Sequence, residues 1–216
     1  RTESVLIDSK RAEKLAPLLA EFAPDVPVYA AAQPVIDAIA GFHLHRGILA
    51  IGLRGEEPRA ADLLAGLGDA AVVLALFGIS NHDNMGGLFR NAAAFGAEAV
   101  LLDPDCCDPL YRKAIRVSVG HALNVPFARI DGDPLTLLRS AGFEPLALTP
   151  AGAEPLATLR RPGRTAVLLG TEGEGLPAAV IAGSRPVAIP MAPGVDSLNV
   201  AVTAGIVLHH LKFAQA

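Results

Sequence analysis

From residue 70 onward, short runs of uninterrupted apolar residues alternate with stretches whose apolar positions recur every three or four residues. The runs "AAVVLALF" (70–77), "AVLLD" (99–103), "VPFARI" (125–130), "PLALT" (145–149), "TAVLLG" (165–170) and "PVAIPM" (186–191) predict strands. Between and after them, helical spacing predicts helices near 85–95, 110–119, 135–141 and 198–213. Strands apolar at every position are buried on both faces, so the expected class is α/β, a mostly parallel sheet with helices on both faces. The first 68 residues carry a weaker version of the rhythm. A strand at Val5 to Ile7 precedes a helix from Lys10 to Phe22, in which Ala12, Leu15, Leu18, Leu19 and Phe22 share a face and which Pro24 ends. A strand at Val26 to Tyr29, a helical turn at Val35 to Ile39 and a strand at Gly47 to Gly52 follow. Charges, Pro58 and several glycines between 54 and 68 predict a boundary or a short connecting helix; with the boundary near 68 the chain divides into a small partial α/β domain over 1–68 and a larger domain over 69–216.

Composition narrows this picture. Of 216 residues, 51% are hydrophobic and 19% charged, which supports a real core and excludes a wholly disordered chain. Interspersed charges, glycines and prolines leave no apolar run long enough to cross a bilayer, and no membrane partner is expected. A net charge of −4 argues against holding nucleic acid by a blanket of positive charge, though it leaves room for a local patch. The only cysteines, Cys106 and Cys107, are adjacent, which suits neither a disulfide framework nor separated metal-binding pairs; a reducing, cytoplasmic setting is expected. The six histidines form no zinc pattern, and no metal is expected.

In open parallel sheets, ligands sit outside the carboxyl ends of the strands, so the informative residues are those that follow the apolar runs. Neither G-x-G-x-x-G after a first strand nor a phosphate loop ending in GK[ST] is present, which weakens dehydrogenase and nucleotide hydrolase readings. Three polar clusters stand there instead: "NHDNMGGLFRNAAAFG" (81–96), "GTEGEGL" (170–176) and "IPMAPGVDSLNVAVTAG" (189–205). In the first, Met85, Leu88, Ala92 and Phe95 face a core, which turns Arg90 to another side; Asn84 is a sound helix cap, and Gly86 and Gly87 permit close backbone approach. In the second, Gly170, Gly173 and Gly175 surround Glu172 and Glu174 in a loop able to wrap a flat or ribose-bearing ligand, and the two carboxylates favour a cofactor without phosphates. In the third, Ser197 and Asn199 open the last helix, where Asp196, Ser197 or Asn199 is equally suited to cap it.

Together these clusters, with "DPLYRKAIRVSVGHALNVPF" between the first and second, resemble in order and spacing the SpoU or TrmH-like branch of the SPOUT RNA methyltransferases over about residues 70 to 213. The resemblance implies S-adenosyl-L-methionine as methyl donor, ribose 2′-O methylation of RNA, and a C-terminal trefoil knot, which periodicity does not show and general connection rules disfavour. It carries over Asn84, Arg90, Glu172, Ser197 and Asn199 as catalytic-site residues. It also implies a cofactor pocket largely of backbone near Thr149, Leu169, Gly170, Thr171, Gly173, Ile189, Pro190, Met191 and Leu198. Two departures from the family pattern are His121 after Gly120 and Asn91 after Arg90, where smaller or hydroxyl residues are more familiar. Around "RGILAIG" the first segment is similar to the second half of a ribosomal-protein-like RNA-binding domain, so more chain upstream of Arg1 is expected.

Attack by an unactivated ribose hydroxyl needs alignment together with proton removal or charge stabilisation. Arg90 is implied beside the target ribose, and because an arginine ordinarily stays protonated up to about pH 12, orientation of ribose and phosphate competes with action as a base after a strong shift. Arg112, Lys113 and Arg116, against the single acid Asp108, form the candidate RNA-binding patch. The family implies a homodimer, with Val202, Ile206, His209 and His210 of the last helix as interface or as ordinary core. Ribosomal RNA is slightly favoured; transfer RNA, methylation at a base nitrogen and a noncatalytic RNA-binding protein are the alternatives.

Overall fold

The computed structural model describes residues 1–21, 25–152, 154–171 and 173–213. They form two compact units that divide between Glu56 and Glu57. The first contains β1 (Thr2–Asp8), α1 (Ala12–Leu19), β2 (Val28–Ala31), α2 (Gln33–Ala40) and β3 (Ile48–Gly52). Its sheet has the order β2-β1-β3, parallel between β1 and β2 and antiparallel between β1 and β3. Val5 and Ile7 of β1 and Ile36 of α2 make a small core. The predicted stripe on α1 is only half-buried: Ala12, Leu15 and Leu19 are partly covered, no residue of that helix is fully buried, and Leu18 is 53% exposed. Among the described residues this unit supplies no second layer over that face. The helix is also shorter than predicted, ending at Leu19; Phe22 and Pro24 lie outside the described residues.

The second unit holds α3 (Ala60–Ala65), β4 (Val72–Leu76), α4 (His82–Phe95), β5 (Ala99–Leu102), α5 (Arg112–Val117), β6 (Phe127–Arg129), α6 (Pro134–Ser140) and β7 (Glu144–Leu148). It continues with β8 (Glu154–Pro155), β9 (Thr165–Leu169), α7 (Ala178–Ala182), β10 (Arg185–Ala188) and α8 (Val200–Phe213). The domain boundary therefore falls ahead of the predicted residue 68, because α3 belongs to this unit. It packs on β5 and β6, and the Arg164 guanidinium, seated over the Phe143 ring, donates to the Leu64 carbonyl at 2.6 Å.

The seven strands β6-β5-β4-β9-β7-β10-β8 form a sheet in which every pairing is parallel. Each apolar run splits by alternation. Val72, Leu74 and Leu76 of β4 enter a core with Met85, Leu88, Phe89 and Ala92 of α4 and Ala204, Val207 and Leu208 of α8, whereas Val73 and Ala75 join Leu64, Leu135, Leu138 and Val180 on the other face. Both faces are thus covered, as continuous apolar strands require. Short β8 and α7, absent from the periodic reading, complete the edge, where Arg185 makes a bidentate pair with Glu154 at 2.6 and 2.7 Å and reaches Glu144 at 3.2 Å.

The chain's route at the end matters most for the site. In the sheet, β9 and β7 separate β10 from β4, yet α8, which follows β10, packs on α4, which follows β4. The segment from β10 to α8 therefore passes over the carboxyl ends of β7 and β9.

Candidate active site

That crossing closes a cavity of about 350 Å³ at the carboxyl ends of β7, β9 and β10. Of the residues predicted to hold a cofactor, Thr149, Leu169, Gly170, Thr171, Gly173, Ile189, Met191 and Leu198 line it, together with Ser197. Pro190 does not: it is exposed beside two lining neighbours. The loop after β9 doubles back on itself, with the Gly175 N–H donating to the Thr171 carbonyl at 3.1 Å. A Cβ on Gly170 would run into the backbone of Gly175 and Leu176, so this glycine is required by the loop's own closure. Gly175, at φ 72°, supplies the left-handed turn. Glu172 lies outside the described residues. Asp196 and Thr203 line the cavity although sequence reasoning did not select them. Thr203 stands one helical turn after Val200, which also lines the cavity.

The two asparagines meet outside the lining. Asn199 Nδ2 donates to Asn84 Oδ1 at 2.9 Å, joining residues 115 apart in sequence. Asn199 Oδ1 accepts from the N–H groups of Ala201 at 2.9 Å and Val202 at 3.3 Å, which makes it the cap of α8. Asn84 is not the cap expected for α4. Asn81 fills that position, accepting from the Asp83 N–H at 2.8 Å, while Asn84 is buried inside the first turn. The family's Asn pair therefore ties the start of α4 to the segment that walls the cavity.

Gly86 and Gly87 serve helix packing. A Cβ on Gly86 would stand 2.7 Å from the Ala114 carbonyl and Val117 Cβ of α5, and one on Gly87 would stand 2.8 Å from Ala201 Cβ of α8. Asn91 explains its own departure from the family pattern: its Nδ2 donates to the Ala201 carbonyl at 2.6 Å, and its side chain occupies the space over Gly205. His121, the other departure, is exposed and opens a single 3-10 turn.

With one side of α4 against α5 and another against α8, Arg90 stands on the exposed ridge between them. It makes no hydrogen bond or ion pair among the described residues and is absent from the cavity lining. Arg112, Lys113 and Arg116 are all exposed on α5, but Lys113 is engaged by Asp83 of α4 at 2.6 Å. The basic patch is thus weaker than the sequence suggested. Behind the site, burial pushes the Cys106 thiol up to about 12, with the Asp103 carboxylate adding to the shift, and burial also raises Cys107; neither is suited to be a nucleophile. Among the described residues no group of His, Cys, Asp and Glu is arranged to hold a metal. No helix there is long and apolar enough to cross a membrane.

Among the described residues the cavity's partly apolar lining contains no lysine or arginine and one carboxylate, that of Asp196. It fits a flat nucleoside and a cationic group without phosphates, and its size lies within the roughly 300–1,000 Å³ usual for small-ligand pockets.

Comparison with known proteins bears on the same residues. Residues 71–209 match the SpoU rRNA Methylase family. A protein called an uncharacterized tRNA/rRNA methyltransferase in Mycobacterium tuberculosis H37Rv is 44% identical over 191 residues, which cover 85% of this chain and 65% of that relative. The chain thus spans 65% of the length of its mycobacterial relative. A 23S rRNA (guanosine-2′-O-)-methyltransferase of Salmonella typhi is 31% identical over 213 residues, 95% of this chain and 87% of that protein. In structure, the AdoMet-bound rRNA methyltransferase from Sinorhizobium meliloti superposes with a TM-score of 0.84 at 23% identity, over 100% of this chain and 81% of that one. That likeness identifies the α/β architecture as the SPOUT fold with its trefoil knot, which accounts for the path from β10 back to α4. By the match over 71–209 and by the relatives that share it, the chain belongs to the SpoU, or TrmH-like, family of RNA methyltransferases.

Proposed function

We propose that this protein is an S-adenosyl-L-methionine-dependent methyltransferase acting on a ribose 2′-hydroxyl of RNA. The observation that carries the reading is the knot-side cavity, which gathers eight of the nine residues expected around the cofactor into one glycine-rich site without a lysine or arginine among its described residues. When bound there, the cofactor supplies a methyl group on a cationic sulfur. The backbone at Gly170 to Thr171 and the apolar walls at Leu169, Ile189 and Leu198 hold it, Asp196 and Ser197 offer polar contacts, and the Asn84–Asn199 pair keeps the wall in register. Arg90, exposed and without a partner among the described residues, grips the ribose and an adjacent phosphate, so that alignment dominates its role and the hydroxyl proton leaves to phosphate or water.

The first unit serves as an RNA-binding module, and Arg112, Lys113 and Arg116 contact phosphates. The functional unit is a homodimer, supported by the open apolar stripe of α8, where Val202 is 51%, Ile206 40% and Phe213 54% exposed. Its work is in the cytoplasm, where RNA is met. Ribosomal RNA is the favoured substrate because the Salmonella relative named for 23S rRNA aligns with 95% of this chain. Transfer RNA is the second reading, because a structure described for 2-OH methylation of C/U34 on tRNA is 26% identical, with a TM-score of 0.60 over 68% of this chain.

Mass-spectrometric mapping of ribose methylation in RNA from cells with and without the gene tests the proposal, since it reports chemistry, molecule and nucleotide together. Arg90→Ala is expected to lower kcat on the order of 100-fold while leaving cofactor affinity nearly intact. Equal loss of both properties, or RNA unchanged at every 2′-hydroxyl, refutes the assignment.

A further inference from the structure

Strands β4 and β5 are neighbours, and the loops leaving their carboxyl ends deliver the first residue of α4, His82, beside the residue that precedes α5, Tyr111. Their rings lie 4.4 Å apart between centroids at an interplanar angle of 45°. Tyr111 belongs to neither core and remains 45% exposed, and its hydroxyl makes no hydrogen bond among the described residues. A ring held on one side by an imidazole and open on the other does little for the fold. It does have the shape of a surface for a second flat ring.

The surroundings suit one kind of ring. Arg112 and Arg116 are exposed on the helix that Tyr111 opens, and Arg90 stands on the exposed ridge of α4, the helix that His82 opens. Two residues beyond His82, Asn84 bonds to Asn199, which follows the cavity-wall residues Ser197 and Leu198. The tilted ring pair is therefore linked to the cavity wall through the start of α4, with exposed arginines on both helices.

We propose that the His82–Tyr111 pair is a stacking platform for an unpaired RNA base close to the methylated ribose, making Tyr111 a substrate-positioning residue. This rests on the reading of the protein as an RNA ribose methyltransferase and adds to it a requirement for locally single-stranded RNA. Every base has a π face, so the contact tolerates sequence but needs a base that is out of its duplex. The low aromatic content, 5% of the chain, makes this pair conspicuous.

Two measurements on the full chain test it. Binding of a single-stranded RNA oligonucleotide carrying 2-aminopurine reports stacking through fluorescence quenching, and methyl transfer from labelled S-adenosyl-L-methionine to RNA extracted from cells lacking the gene gives KM and kcat. Tyr111→Leu, folded by its thermal melt, should abolish the quench and raise KM about 5- to 100-fold, as loss of one base–aromatic stack implies, with the loss lying in KM and with cofactor affinity unchanged. Tyr111→Phe should restore both quench and KM. The platform is overturned if Tyr111→Leu retains the quench and the wild-type KM, as it would if the ring instead served a protein partner, or if Tyr111→Phe is as damaging as Tyr111→Leu. Wild-type protein that quenches the probe but methylates no RNA refutes the methyltransferase reading and leaves the platform supported; absence of a wild-type quench refutes the platform whatever the activity.

Discussion

Replacing Asn199 by alanine removes both a helix cap and an inter-helix bond, with different consequences. Its Oδ1 caps α8 through the N–H groups of Ala201 and Val202, and its Nδ2 donates to the buried Asn84 Oδ1. Loss of an asparagine cap costs about 1 kcal/mol, within a range of roughly 0.5–2. The inter-helix bond contributes about 1 kcal/mol more. Asn199→Ala should therefore destabilise the second unit by about 2 kcal/mol, or about 4–8 °C at roughly 2–4 °C per kcal/mol for a unit of this size. Asn199→Ser keeps a cap but is too short to reach Asn84, so it should lose only about half as much. Combining Asn199→Ala with Asn84→Ala isolates the shared bond, because the second substitution then has one fewer partner to lose; a coupling of about 1 kcal/mol is expected. Urea unfolding followed by circular dichroism gives the free energies. Hydrogen exchange at the Ala201 and Val202 amides separates the cap, which should fail in Asn199→Ala and persist in Asn84→Ala. A coupling below about 0.3 kcal/mol refutes the claim that this bond joins α4 to the cavity wall, and equal damage from serine and alanine refutes the division between cap and bridge.

Other expectations follow from local geometry. Gly87→Ala should cost about 1–3 kcal/mol by forcing α4 from α8, and Ala201→Gly in the same chain should recover most of it, as thermal melts will report. Val119 sits at φ 56° with its side chain 62% exposed, so Val119→Gly should stabilise by about 0.5–1 kcal/mol; a lower melting temperature would contradict that strain. In the first unit, the Leu44 N–H and the His43 and Gln33 side chains hold the Asp37 carboxyl down to about 2 from 3.8. Because the folded value is the lower one, the contribution is complete above about pH 4 and is lost as pH falls through about 2; NMR titration should place the midpoint there, and Asp37→Asn should remove this part of the acid sensitivity.

Continuous apolar runs such as 72–76 and 166–169 made the parallel sheet legible, because strands buried on both faces hold few polar side chains; the buried Thr165 has its hydroxyl bonded to the Pro162 carbonyl. Five-residue α7 and two-residue β8 escaped notice because neither is long enough to establish a period. The cavity was legible for a different reason: it is made of loops that begin where apolar runs stop. What adjacency along the chain does not carry is contact between distant segments. Asn84 read as a cap until α8 supplied its partner, Lys113 read as part of an open basic patch until Asp83 appeared across the helix pair, and Gly86 and Gly87 read as permitting a close approach whose partners, α5 and α8, only the fold names. The knot belongs to the same class, since a path over other strands leaves no local signature.

The meeting of α4 with α8 also sets a timetable for synthesis. Roughly 100 residues separate the end of α4 from the start of α8, so at the usual ~5–20 residues per second a ribosome needs about 5–20 s before it supplies the helix that covers this side. During that interval the waiting surface presents Gly87, Asn91 and Asn84, while Leu88, Phe89 and Ala92 already have β4 and β5 to pack against. A nascent chain paused before residue 200 thus shows its surroundings the Phe95 ring as well as glycine and amide along this side of α4, an apolar spot that stays open until His209 arrives to cover it.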